Sequence, residues 1–219
     1  MNVYFMKKIL LIIGGKSTGL EIREVVDLYY KDSFEYVYNV IGNDDEPCSF
    51  SYIKDDEMDC LFNDVTNDLY YIISMSNHKL RIKFEMFFLN KNVKPFNVIH
   101  PKAEISPSAS LGKNIYVASG VIISSFAKVG DNIMLNFGVL IGHDSTVKNN
   151  CILLPGCKIG GGATINDNCL IGSGSFVKQG VNIGKNTFID AMCYVEKDVQ
   201  ENKMCKSKIE IKQYKNIFL

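Results

Sequence analysis

Histidine is scarce in this chain, limited to His78, His100 and His143, and neither sign of charge is in excess, since twenty-four Lys and Arg offset twenty-four Asp and Glu. A zinc centre of the multi-histidine kind needs several imidazoles around one ion, and the repeats described below contain His143 alone, so no metal is expected. The balanced charge removes the attraction on which nucleic-acid binding rests; the one basic cluster, Lys203 to Lys215, reads as a solvated end segment. No apolar stretch approaches the length of a membrane span. The run Ile9 to Ile13 behind Met6-Lys7-Lys8 imitates a signal peptide, but it is too short and ends at Gly14-Gly15 without a cleavage pattern, so a cytoplasmic location with no membrane partner is expected.

What the chain does have is a period of six. Every sixth residue from Ile105 to Val195 is Ile, Val or Leu. A helix repeats its apolar residues at 3.6 and a half-buried strand at 2, so a strict period of six marks a chain winding in short flat sides. Three such sides close one coil, residues eighteen apart stack about 4.8 Å apart as neighbouring strands do, and the aliphatic columns fill a triangular prism, a parallel β-helix. Three residues after the aliphatic come Gly120, Asn132, Gly138, Asp144, Asn150, Gly156, Gly162, Asn168, Gly174, Gly180 and Asn186, residues suited to left-handed turns. Cys151, Cys157, Cys169 and Cys193 sit two residues before an aliphatic, where other coils carry Ala or Val, and so read as small inward hydrophobes. Cys48, Cys60 and Cys205 show no metal-ligand spacing and read as free thiols.

The region before the repeats has another grammar. A strand over Ile9 to Ile13, a helix over Leu20 to Tyr29, strands over Tyr36 to Ile41 and Leu69 to Met75, and a helix over Asn77 to Leu89 predict a small α/β domain with a parallel, Rossmann-like sheet. The expected division is residues 1–97 for this domain, 98–200 for the β-helix and 201–219 for a tail. Gly14-Gly15-Lys16-Ser17-Thr18-Gly19 lies between strand and helix, where backbone N–H groups favour an anion. It is not a Walker loop, because position 10 is Leu where that motif needs Gly.

On these repeats, His100 to Asp198 resembles the hexapeptide-repeat acyltransferases, and with the N-terminal part included the chain is most similar to bacterial sugar acetyltransferases that modify nucleotide-linked amino sugars. The resemblance implies a left-handed prism, a homotrimer, and acetyl-CoA lying between neighbouring subunits. It implies an N-acetyltransferase acting on a UDP- or dTDP-linked amino-dideoxy sugar for surface glycan or O-antigen synthesis; the alternative is a sugar O-acetyltransferase of the sialic-acid type. A nucleotide-sugar role then falls to Gly14, Gly15, Ser17 and Thr18 of the turn, to Asn43, Asp44 and Asp45 after the second strand, and to Asn77 at the start of the later helix. Lys16 and Ser17 depart from the family's more glycine-rich turn.

His143 stands two residues after inward Ile141, near the outer end of a side, and at the place where the family carries its catalytic base. Neutral imidazole accepts the proton that an amine sheds on attacking a thioester, and Asp144 is placed to fix its tautomer, although Asp144 is also a turn position. Gly161 stacks one coil over His143, and its backbone N–H is a candidate donor to the thioester oxygen as charge develops there. Pro155, Ser173 and Ala191 form an outward column of small residues suited to the pantetheine arm of the cofactor. Asn136 matches a family asparagine that touches the sugar. Ile152 stands where better-known members carry a second histidine, which alters the sugar pocket.

Overall fold

The computed structural model describes residues 6–43, 45, 50–64 and 66–207; Asp44, Cys48 and the tail beyond 207 lie outside them. The N-terminal domain begins with β1 (Lys7–Ile13), α1 (Thr18–Tyr29) and β2 (Tyr36–Ile41). It continues with β3 (Tyr52–Lys54), a short α2 (Asp59–Phe62), β4 (Asn67–Ile73), α3 (His78–Asn90) and β5 (Lys94–Pro95). The strands form one parallel sheet in the order β3-β2-β1-β4-β5. Buried on both faces, β1 reads as an unbroken aliphatic run from Ile9 to Ile13, as central strands of parallel sheets do. The short β3, α2 and β5 carry no periodic signal, and β4 lies two residues earlier than the expected Leu69 to Met75, ending at Ile73 with the Ser74 N–H and Oγ both bonded to Ile13 O.

The chain then enters a parallel β-helix of two-residue strands in three sheets, with Val98–Ile99, Glu104–Ile105 and Ser110–Leu111 as the first strand of each. Partners such as Ile123 and Ile141, Val147 and Ile165, or Leu135 and Leu153 are one coil apart. The inward residues Val117, Leu135, Ile141, Ile159, Ile171 and Ile189 are fully buried, and so are Cys151, Cys157 and Cys169 beside them. Burying one such aliphatic side chain contributes roughly 1.5–3 kcal/mol. Met204–Cys205 still pairs with Phe188–Ile189, so the winding continues to Cys205, with a last coil that is two residues shorter than the others.

All eleven expected turn residues from Gly120 to Asn186 have left-handed φ, between 54° and 74°. The two domains share a core: Leu10, Ile12, Ile22, Val26 and Ile72 belong to the same buried cluster as Val98, Val117 and the prism interior. Among the described residues no helix is long and apolar enough to cross a membrane.

Candidate active site

The three corners of the prism differ in chemistry. After the sheet that starts at Ser110, the left-handed positions are Asn114, Asn132, Asn150, Asn168, Asn186 and Asn202. After the sheet that starts at Val98 they are Gly120, Gly138, Gly156, Gly174 and Met192. After the sheet that starts at Glu104 they are Phe126, Asp144, Gly162 and Gly180, and this third corner carries His143.

His143 Nδ1 lies 2.8 Å from Asp144 Oδ2, and both side chains are open to solvent. With Nδ1–H donating to that carboxylate, Nε2 keeps its lone pair and can accept a proton. Asp144 serves two ends at once, holding the turn at φ 57° and orienting the ring. The ring lies against Gly161: a Cβ there would fall 2.6 Å from Nε2 and 2.8 Å from Cε1, so any side chain at this position would push the imidazole from its place. Gly161 O accepts from Gly180 N, whereas the Gly161 N–H makes no hydrogen bond among the described residues.

Pro155, Ser173 and Ala191 stand elsewhere, each immediately before the glycine corner, where Pro155 O accepts from Gly174 N and Ser173 O from Met192 N. A Cβ at Gly138 or Gly156 would meet nothing within 4 Å, so the corner is open there, whereas one at Gly174 would fall 2.6 Å from Met192 Sδ. Asn136 borders the same corner but is 7% exposed, with its Oδ1 accepting from Phe137 N at 3.1 Å. One chain therefore gathers His143, Asp144 and Gly161 at one corner and Asn136, Pro155, Ser173 and Ala191 at another.

In the N-terminal domain the strand order reverses between β1 and β4, and the crevice beyond their carboxyl ends is where such sheets hold ligands. The turn Gly14 to Thr18 and Ser74 to Asn77 border that crevice. A Cβ at Gly14 would sit 2.4 Å from Ser74 Oγ and one at Gly15 2.0 Å from an Ile41 methyl, so the turn has room for neither. Ser17 precedes α1 at φ 45° and ψ −116° without capping the helix through its side chain, and Thr18 is the first helical residue. Lys16 Nζ bonds Asp45 Oδ1 at 2.9 Å, and together with Gly42 N–H it holds the Asp45 carboxyl below the usual range. Asn43 Oδ1 accepts from Asp56 N, and Asn43 lines a cavity of about 280 Å³ with Asp55, Met58, Phe84 and Phe87. Asn77 caps α3, its Oδ1 accepting from Leu80 N at 3.1 Å.

The other histidines have structural surroundings: His78 Nε2 is 3.4 Å from Cys169 O, and His100 Nδ1 accepts from Lys102 N at 3.0 Å. Sequence reasoning missed Arg81. Fully buried, it donates to Ile73 O, Met75 O, Asn132 O and Oδ1, and Asn150 Oδ1, bolting α3 to the asparagine corner. Burial pushes its guanidinium down to about 10, so it stays charged at neutral pH. Nothing in the local sequence of α3 marks it. Phe126 was also missed, although an aromatic three residues after Ile123 breaks the Gly, Asn and Asp pattern of the turns.

The family described as the GMPPB C-terminal domain matches residues 93–209. No curated protein matches the sequence. Among solved structures, a histidine-to-asparagine mutant of perosamine N-acetyltransferase from Caulobacter crescentus, in complex with CoA and GDP-perosamine, is similar over 89% of this chain and 91% of its own, at 23% identity and a TM-score of 0.81. The acetyltransferase domain of PglB from Neisseria gonorrhoeae, in complex with acetyl coenzyme A, is similar over 91% and 95% at 19% identity and a TM-score of 0.80. WeeI from Acinetobacter baumannii is similar over 90% and 95% at 18% identity and a TM-score of 0.83. The chain thus shares both domains and their arrangement with these proteins.

Proposed function

Because the chain belongs to the family described as the GMPPB C-terminal domain and holds a solvent-facing His143–Asp144 pair over Gly161 on its β-helix, we propose that it transfers the acetyl group of acetyl-CoA to the amine of a nucleotide-linked amino-dideoxy sugar. The hydrogen-bonded pair at the corner carries this reading. It is supported by fold relatives that bind CoA with GDP-perosamine or acetyl coenzyme A.

In this mechanism His143 Nε2 takes a proton from the amine as nitrogen bonds to the thioester carbon, and the Asp144 carboxylate steadies the imidazolium. Gly161 N–H donates to the carbonyl oxygen as it becomes an oxyanion. On collapse the C–S bond breaks, and the imidazolium returns the proton to the leaving thiolate, giving the N-acetyl sugar and free CoA. The prism's cysteines, buried at Cys151, Cys157 and Cys169, offer no outward nucleophile, so transfer is direct.

The residues fit the cosubstrate in one respect that the backbone decides: beside Pro155 the glycine corner carries no side chain at Gly138 and Gly156 to obstruct a narrow arm. That corner and the histidine corner are separate in one chain, so we read the complete site as lying between subunits, in a trimer whose adjacent prisms bring the two corners together. The N-terminal crevice, with the Gly14 to Thr18 turn, Asn43, Asp45 and Asn77 around it, takes the nucleotide. The test is incubation with acetyl-CoA and GDP-perosamine or UDP- and dTDP-linked amino-dideoxy sugars, each paired with its hydroxy counterpart, with products read by mass spectrometry. An N-acetyl product is expected. Acetylation of the hydroxy sugars alone would favour O-acetyl transfer, and no transfer to any of them would overturn the proposal.

A further inference from the structure

Phe126 occupies a position that suits it poorly. At the histidine corner the left-handed residues above it, toward the C-terminus, are Asp144, Gly162 and Gly180, types that reach positive φ at low cost. Phe126 holds φ 59° one coil below Asp144, and a bulky residue there is a genuine backbone outlier. Packing does not compensate, because the residue is 63% exposed and stacks on no ring among the described residues. The conformation is nonetheless held in place. Phe126 N–H donates to Ser108 Oγ at 3.1 Å, Ser108 Oγ is 3.0 Å from Ser106 Oγ, and Ser125 O, one peptide away, accepts from Asp144 N at 3.0 Å. An exposed ring in a costly conformation, tied by one peptide to the His143–Asp144 pair, is strain of the kind retained for a ligand.

The surroundings indicate which ligand. Beside this corner a shallow depression of about 500 Å³ is lined by Glu104, Ser106, Ile122, Ser124 and Ser125. Hydroxyls and a carboxylate bond sugar hydroxyls, and an aromatic face packs against the apolar C–H face of a pyranose. The coil above His143 is taken by Gly161, against which the imidazole already lies, so the coil below is the open ground next to the base.

We propose that Phe126 is a specificity-determining residue of the acceptor site, a platform for the apolar face of the amino sugar, with the serine cluster and Glu104 taking its hydroxyls. This rests on the acetyl-transfer reading above. The mechanism needs the amine held at Nε2, and a flat ring one coil below Asp144, beside the base, provides the support.

The chain contains no tryptophan, so Phe126→Trp installs a single fluorescent reporter that keeps an aromatic platform. Its emission is expected to shift on addition of the sugar nucleotide that the wild-type protein acetylates best, and not on addition of CoA. Phe126→Asn supplies the residue used at this register on the asparagine corner. It should melt at the same or a higher temperature, while KM for the sugar nucleotide rises about ten-fold, the loss of one aromatic contact, and KM for acetyl-CoA stays within about two-fold. An unchanged KM for the sugar, an equal rise for acetyl-CoA, or a change in oligomer size in Phe126→Asn would overturn the platform and make the ring a turn or subunit contact. Failure of the wild-type protein to acetylate any sugar nucleotide would instead overturn the underlying reading, which the wild-type assay reports separately.

Discussion

The asparagine corner and the histidine corner are built on the same backbone turn and use it in opposite ways. At the first, each asparagine Nδ2 donates to the Oδ1 one coil up, from Asn114 through Asn132, Asn150, Asn168 and Asn186 to Asn202, at 2.8–3.1 Å. The left-handed φ and the amide ladder suit the same residue, so the chemistry repeats in every coil. At the second, Phe126 and Asp144 give way to Gly162 and Gly180, which share the backbone turn but not the side chain. A repeat that stays constant is a scaffold, and a repeat that breaks from coil to coil marks the place where something other than folding selected the side chain.

The most severe way to test that contrast is His143→Ala. Loss of a general base is expected to lower turnover about 10²- to 10⁴-fold, and because the side chain is largely exposed the melting temperature should not move. Steady-state kinetics with a thermal melt on the same preparation checks both; a variant that turns over normally would leave the histidine corner without its function. Arg81→Met should behave in the reverse sense. It keeps the aliphatic stem but abandons the carbonyls of Ile73, Met75 and Asn132 and two amide oxygens of the ladder, and unsatisfied buried acceptors of this kind cost about 3 kcal/mol in sum. Denaturant unfolding should show the loss, and limited proteolysis should cut first in α3, where the N-terminal domain is released from the prism.

The two corners also mark how far the residues alone could be read. The period of six dictates the strands, the inward columns and the stacking of Gly161 on His143, because every coil obeys one local rule and a misplaced residue would flip a side chain out of the core. The strand and helix order of the N-terminal domain was equally legible from β1, α1, β2 and α3, whose apolar runs are long. What was not legible depends on contacts between distant segments. Arg81 meets Asn132 and Asn150 only because α3 lies along one prism edge, and no pattern within α3 encodes that. Asn77 stood out as a residue for the substrate, and its side chain is engaged as a helix cap. Phe126 was readable in principle, since it is an aromatic at a turn register, but only against the full column of its neighbours.

Asp144→Asn sharpens the comparison with a smaller effect. Asparagine keeps the left-handed turn that it occupies throughout the other corner, while the carboxylate partner of His143 Nδ1 is lost. Exposed pairs are weak, so turnover should drop about ten-fold, corresponding to about 1.4 kcal/mol in the barrier, with no change in melting temperature. Equal turnover would reduce Asp144 to a turn residue.

The smallest effect expected separates the two reasons for asparagine at its own corner. Asn186 sits in the exposed part of the ladder, receiving from Asn168 Nδ2 and donating to Asn202 Oδ1, both at 2.9 Å, with φ 56°. Asn186→Gly removes both amide bonds and keeps the conformation free of strain, so it should cost only about 0.5–1 kcal/mol, the net worth of hydrogen bonds that water can replace. Asn186→Ala removes the same bonds but keeps a Cβ at positive φ without the polar side chain that eases it for asparagine, which costs roughly 1–2 kcal/mol more than glycine. Unfolding in urea of the two variants side by side gives the backbone share as their difference. If alanine and glycine were equally stable, the turn would not be what asparagine is there for, and the ladder would have to account for the whole column.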